Sequence, residues 1–138
     1  LIPEAGVLTM DEPDTQQWTD IRLGVTVAQE IGRWDIGQSV VVKRGTVFAV
    51  EGVEGTSAAI RRGGELGGAG TVVVKVSKPQ QDLRFDVPAI GPDTIAVMHE
   101  VDAAVLAIEA HSTLMIERPA LLAKASGSGI RVRGVVSA

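Results

Sequence analysis

The chain has 138 residues, 45% of them hydrophobic, yet only 3% are aromatic and none is Tyr. That is a single domain with a core built from Val, Ile, Leu and Ala, a composition suited to strands buried on both faces. The absence of Cys excludes disulfides, thiolate metal sites and thiol catalysis, and a net charge of -4 without a Lys/Arg cluster excludes a nucleic-acid partner.

In chain order, residues 1–18 carry Pro3, Pro13 and many polar groups and are expected to form a linker or arm. The opening "LIPEAGVLT" has neither an initiator Met nor a capped element, so a fragment of a longer protein is expected. From residue 19 to 138 the chain reads as one folded unit. "TDIRLGVTVAQEIGR" places Ile21, Val25, Ala28 and Ile31 at helical spacing, with Thr19 or Asp20 as cap and Gly32 as stop. "SVVVKRGTVFAVEG" predicts a hairpin turning at Arg44-Gly45. "EGTSAAIRRGGEL" begins a short helix capped by Thr56, and "GGELGGAG" reads as a flexible loop. It lacks Gly-Lys-Ser/Thr and therefore is no P-loop.

"TVVVKVS" is a β-branched strand of the fully buried kind, and "DLRFDV" a shorter alternating strand stopped by Pro88. "GPDTIAVMHEV" predicts a helix with Pro92 in its first position. "AVLAIEA" and "TLMIER" read as strands, "PALLAKASGSG" as a helix from Pro119, and "IRVRGVV" as a final strand. Strands and helices interleave, which defines an α/β fold: a mixed or mostly parallel sheet flanked by short helices. No apolar run approaches the ~18 residues of a spanning helix. "FAVEG" and "LAIEA" echo each other, each ending an apolar strand in Glu beside a small residue.

Three stretches carry candidate chemistry. In "VEGTSAAIRR" a strand runs into Glu54-Gly55-Thr56 and a helix starts at once; free amides and the helix dipole there suit a phosphate, and Glu54 could hold a bridging metal. A strand–turn–helix junction capped by Thr56 has the same sequence signature. In "DLRFD", Asp82, Arg84 and Asp86 share one side of a strand. At about 3.3 Å per residue Asp82 and Asp86 lie about 13 Å apart, too far to share one ion on a straight strand. Asp86 is the stronger candidate because it stands at the carboxyl end, where open α/β sheets place ligands. Lys75 and Lys78 add positive charge, although strand-end lysines are usually solvated. "GPDT" offers a second helix start. His99 and His111 are isolated and read as structural or surface residues, Trp18 and Trp34 as anchors of the first helix, and "WDIGQ" as a local turn network.

Taken together, "IGRWDIGQSVVV", "FAVEGVEGTSAAIRR", "VVVKVSKPQQDLRFDVPAIGPDTI" and "VLAIEAHSTLMIERPALL" resemble the C-terminal domain of the LpxI-type UDP-2,3-diacylglucosamine pyrophosphatases of lipid A biosynthesis. The resemblance runs from about Thr19 to the C-terminus. It implies a Mg²⁺-dependent hydrolase that attacks the α-phosphate of UDP-2,3-diacylglucosamine and releases UMP and 2,3-diacylglucosamine 1-phosphate. It also implies a separate N-terminal domain as partner, a cytoplasmic location with peripheral inner-membrane contact through the acylated substrate, and room for a homodimer. The family's essential aspartate, in its DxP motif, falls on Asp86. Asp86 and Glu54 are thus the expected catalytic and metal-binding residues, and Gly55, Thr56, Arg84, Lys78 and Asp82 the expected substrate- and phosphate-binding ones. Without its partner domain the chain is expected to fold but to turn over little. One departure stands out: where the family has Asp after Glu-Gly-Thr, this chain has Ser57. If that Asp is a metal ligand, a ligand is missing; if it only favours the helix start, Ser is a mild change. The alternative from another class is a non-catalytic sugar-nucleotide binding or regulatory module.

Overall fold

The computed structural model describes residues 6–9, 11–78 and 88–136. Its centre is a six-stranded sheet in the order β1 (Gly6–Val7), β8 (Arg131–Val135), β6 (Val105–Glu109), β4 (Val72–Lys75), β2 (Ser39–Lys43), β3 (Thr46–Val50). Strands β4, β6 and β8 are parallel, β2 is antiparallel to both β3 and β4, and β1 is antiparallel to β8. The α/β class with a mixed sheet is as the sequence predicts. In consequence β3, β4, β6 and β8 all end at one edge, where β2 begins.

The central strands are buried on both faces, which is why their sequences are unbroken Val, Ile and Leu rather than alternating. On one face Val40, Val42, Val72, Val74, Val105 and Ala107 pack against Ile21 and Ala28 of α1 (Thr15–Arg33). On the other, Val41, Val73, Leu106, Ile108 and Val132 meet Ile60 of α2 (Thr56–Gly67), Ile95 and Met98 of α3 (Pro92–Glu100), and Leu121 and Ala125 of α4 (Arg118–Gly127). A two-stranded parallel sheet, β5 (Ala89–Ile90) with β7 (Leu114–Met115), adds Ile90 and Met115 to this second core. "TLMIER" therefore supplies only two strand residues; Glu117 turns the chain with φ 50° and α4 starts at Arg118. Pro92 does open α3.

Helix α1 starts earlier than expected. Asp14 and Gln17 form a reciprocal capping box: the Asp14 side chain accepts from the Gln17 amide at 2.8 Å, and the Gln17 side chain from the Asp14 amide at 2.9 Å. Residues 15–18 of the expected arm thus lie in α1, and Gly6–Val7 pair with β8. Asp20 is not a cap. It is buried, and its carboxylate accepts from the amides of Arg44 and Gly45 at 3.0 and 2.8 Å, fixing the β2–β3 turn to α1. Asp20→Ala should accordingly lower stability by about 1.5–3 kcal/mol, the worth of hydrogen bonds to a charged group. A urea midpoint that falls at constant slope would show it.

The glycine-rich "GGELGGAG" is not all loop: its first five residues, Gly63 to Gly67, are the end of α2. A Cβ on Gly63 would stand 2.6 Å from Val41 side-chain atoms, and one on Gly64 2.4 Å from Val101. These glycines let the helix lie close on the sheet and on the end of α3. Trp34 is 71% exposed and anchors nothing, whereas Trp18, half-buried within α1, stacks under the Arg133 guanidinium at 4.7 Å. His99 and His111 are exposed, as expected. "DLRFDV" lies outside the described residues.

Candidate functional site

The edge where β3, β4 and β6 end gathers Ser39, Glu51, Lys75 and Glu109. By strand alternation Ser39, Glu51 and Lys75 follow the face of Val41, Ala49 and Val73, the face that α2 covers. Glu51 follows the last residue of β3, and its backbone amide donates to the Ser39 carbonyl at 2.8 Å. One carboxylate oxygen, Oε1, accepts from the Gln38 amide at 3.2 Å and from the Thr56 hydroxyl at 3.2 Å. Thr56 Oγ1 lies 3.0 Å from Ser39 Oγ, so with its proton given to Glu51 it accepts from Ser39. The other Glu51 oxygen makes no hydrogen bond among the described residues.

Thr56 is therefore not the cap of α2, as the sequence suggests; it is the first helical residue and its hydroxyl turns back to the sheet. The N-cap is Gly55, whose φ of 91° suits glycine, and among the described residues no side chain caps the first amides. This leaves the positive end of α2 at the sheet edge without a side-chain acceptor. Ser57, next along, is exposed.

Glu54 sits just outside this group. It accepts from the Gly52 amide and pairs with Arg62 at 3.2 Å, while Arg62 also donates to the Val50 carbonyl at 2.9 Å. The Gly52 amide, opposed by desolvation and helped by the Arg62 guanidinium, holds its carboxyl below the usual carboxylate range. The turn from β3 into α2 is thus held by Glu54 and Arg62, and Glu51 faces inward.

Lys75 ends β4 directly opposite Ser39. It is not solvated as a strand-end lysine ordinarily is. Burial pushes its ammonium below the usual lysine range, partly offset by the negative charge of Glu51. Its ammonium donates to the Ala89 carbonyl at 3.1 Å. Next to it, Glu109 at the end of β6 accepts from the Ser77 amide at 3.3 Å, from the Ser77 hydroxyl, and from the Ser112 hydroxyl at 2.7 Å. Lys78 forms an ion pair with Asp35 at 2.9 Å.

These contacts explain "WDIGQ". Asp35 reaches Lys78, Gln38 offers its amide to Glu51, and Gly37 between them lies on the Glu51 backbone, where a Cβ would stand 2.2 Å from the carbonyl oxygen. The stretch is more than a local turn: it bridges two sides of the edge.

Of the sequence candidates, Gly55, Thr56 and Lys78 are at this edge, Glu54 borders it, and Asp82, Arg84 and Asp86 lie outside the described residues. The flanks of residues 79–87 are nevertheless fixed here, Ser77 by Glu109 and Ala89 by Lys75. Sequence reasoning passes over Ser39, Glu51, Ser77 and Glu109. The one signal for two of them is the "FAVEG"/"LAIEA" echo, whose glutamates follow β3 and end β6 at the same edge.

Among the described residues, the side-chain oxygens at the edge that could ligate a metal are carboxylate and hydroxyl, with no thiolate and no imidazole. That set fits a hard divalent cation such as Mg²⁺, which takes one or two carboxylates and fills its remaining positions with water and phosphate oxygens. Among the described residues no three acidic or imidazole side chains cluster as a ready-made cage. A cavity of about 500 Å³ lies elsewhere, on the α1 side, between Trp18, Ile21 and Val25 of that helix and Arg133 to Val136. No helix among the described residues is long and apolar enough to cross a membrane.

Acid, ammonium and a helix N-terminus thus stand at the carboxyl edge of parallel strands, the place where open α/β sheets put their ligand sites. The sequence matches the LpxI C-terminal domain family over residues 4–133, and the chain belongs to that family. It is also 39% identical to the UDP-2,3-diacylglucosamine pyrophosphatase LpxI of Caulobacter vibrioides, over 94% of this chain. The chain spans about half of that relative's length, 49%.

Proposed function

We propose that this domain is the catalytic half of a Mg²⁺-dependent UDP-2,3-diacylglucosamine pyrophosphatase of lipid A biosynthesis, working with a separate N-terminal domain that holds the acylated part of the substrate. The observation that carries this reading is the gathering of Glu51, Lys75 and the amides of α2, left without a side-chain cap, at one sheet edge in a member of this family.

The reaction adds water across a phosphoric anhydride. A water oxygen bonds to the α-phosphorus, the bond from that phosphorus to the bridging oxygen breaks, and the products are UMP and 2,3-diacylglucosamine 1-phosphate. Mg²⁺, held by Asp86 and Glu54, would supply charge neutralisation at the diphosphate. Asp86 takes the second task of orienting the attacking water. The amides at Gly55 and Thr56 receive a phosphate oxygen at the positive end of α2. Arg84 and Lys78 add charge around the diphosphate, with Asp35 keeping Lys78 in place, and Asp82 binds substrate away from the metal. Ser57 is then a helix-start residue rather than a metal ligand, and Glu54 reaches the metal by exchanging its contact with Arg62 for it.

The protein works in the cytoplasm and touches the inner membrane through its lipid substrate. A homodimer is compatible with this arrangement. The test is UMP release from UDP-2,3-diacylglucosamine by the full-length protein and by residues 1–138 alone, each with and without Mg²⁺. Release by the full-length protein that requires Mg²⁺, with little from residues 1–138, is expected. Tight binding of substrate without release would instead establish the non-catalytic sugar-nucleotide module.

A further inference from the structure

The geometry points to Lys75 as an anion-binding residue: its ammonium, facing the carboxyl edge beside Ser39 and Glu51, receives a phosphate oxygen of a diphosphate ligand. Three observations carry this. First, the side chain follows the same face as Ser39 and Glu51, opposite the start of β2 and on the side where α2 begins. Second, among the described residues the ammonium makes one hydrogen bond, to the Ala89 carbonyl at 3.1 Å, and an ammonium has three protons to give. Third, the nearby carboxylate does not consume it. Glu51 spends one oxygen on Gln38 and Thr56 and acts on Lys75 through its field, without ion-pair contact.

A half-buried cation with donors to spare is costly for the protein to keep. If its task were only to tether β5 to the end of β4, one neutral donor would do. An arriving phosphate offsets the cost, because it gives the ammonium an anionic acceptor in place of the water that burial removes. The Ala89 bond then holds the side chain in place beforehand, so little rotamer entropy is lost on binding. Lys75 also differs in kind from Lys78, which already has Asp35 as its partner.

The inference rests on the proposed function for the identity of the ligand, but not for the existence of the anion site. Binding of inorganic diphosphate and UMP release should therefore be measured side by side on the full-length protein. The variants are Lys75→Met, which keeps the length of the stem and removes the charge, Lys75→Gln, which can still donate to Ala89, and Lys75→Arg.

The wild type should bind inorganic diphosphate in titration calorimetry. Lys75→Met and Lys75→Gln should weaken it by about tenfold or more, and Lys75→Arg should recover most of the loss, as expected of a charge-assisted bond. The urea midpoints of the neutral variants should be unchanged or higher, since a buried charge is gone. Wild-type affinity in either folded neutral variant, or no diphosphate binding by the wild type, would overturn the assignment. A protein that binds diphosphate through Lys75 yet releases no UMP would uphold the site and reject the pyrophosphatase reading.

Discussion

Asp86→Ala in the full-length protein should lower UMP release by three orders of magnitude or more, about 4 kcal/mol of transition-state stabilisation, while substrate affinity and the unfolding midpoint stay close to wild type. In the sequence Asp86 alternates with Leu83, Phe85 and Val87, a pattern that puts it on the polar side of an expected strand, where truncation is expected to delete no apolar contact. The described flanks of its segment are held at the site edge, by Glu109 through Ser77 and by Lys75 through Ala89. A carboxylate that positions water or metal contributes mainly in the transition state, so kcat should fall and the binding constant should not. A solvated aspartate would change stability by at most about 0.5 kcal/mol and leave the rate alone. Asp82→Ala is the comparison, expected to cost far less. An Asp86→Ala enzyme that kept more than about a tenth of its activity, a cost under ~1.4 kcal/mol, would remove Asp86 from the catalytic centre.

Gly37→Ala should damage both stability and activity. The added Cβ would lie 2.2 Å from the Glu51 carbonyl oxygen, 2.8 Å from its carbon and 3.0 Å from its Cβ. The obstacle is mostly backbone, and that backbone is held by the Glu51 amide donating to Ser39. No side chain can rotate away; either the loop or the end of β3 must move. Overpacking of this kind costs about 1–3 kcal/mol. Because Gln38, the next residue, fixes the Glu51 carboxylate through its amide, the shift also disturbs the acid whose charge acts on Lys75. Misplacement by about 1 Å in a preorganised site can cost about a hundredfold in rate. Gly127→Ala is the control: the same substitution, at the end of α4, with nothing within 4 Å of the added Cβ. It should be neutral or slightly stabilising. Equal urea midpoints and rates for the two variants would show that the close approach at Gly37 does not matter.

How much of this was legible depends on where the determining contacts lie. "VVV" runs in β2 and β4 announce strands buried on both faces, and Pro92 announces the start of α3, because both signals are local. The α2 glycines mislead because their reason is tertiary. Composition alone reads Gly63-Gly64 as a loop, and only Val41 and Val101, distant in sequence, require the missing side chains. The cap of α1 is misplaced for a related reason: Asp20 has the chemistry of a cap, but its partners are the amides of a turn more than twenty residues on. Within the site, Glu54 stands out in sequence because it adjoins a helix start, whereas Glu51 looks like an ordinary strand-end residue. Its importance follows from a register that brings Ser39, Thr56 and Lys75 around it. Lys75 is ordinary in sequence too; its burial is set by what β5 and α2 cover, which no local pattern encodes.

The most direct test of the central claim is the electron density of the full-length protein with UDP-2,3-diacylglucosamine and Mg²⁺, using an Asp86 variant to slow turnover. The diphosphate is predicted to lie at the carboxyl edge, with an oxygen on Lys75 and another on the amides at Gly55 and Thr56, beside Glu51. A diphosphate bound on the α1 side of the sheet, in the cavity between Trp18 and Arg133, or at the opposite edge by the β2–β3 turn, would contradict it.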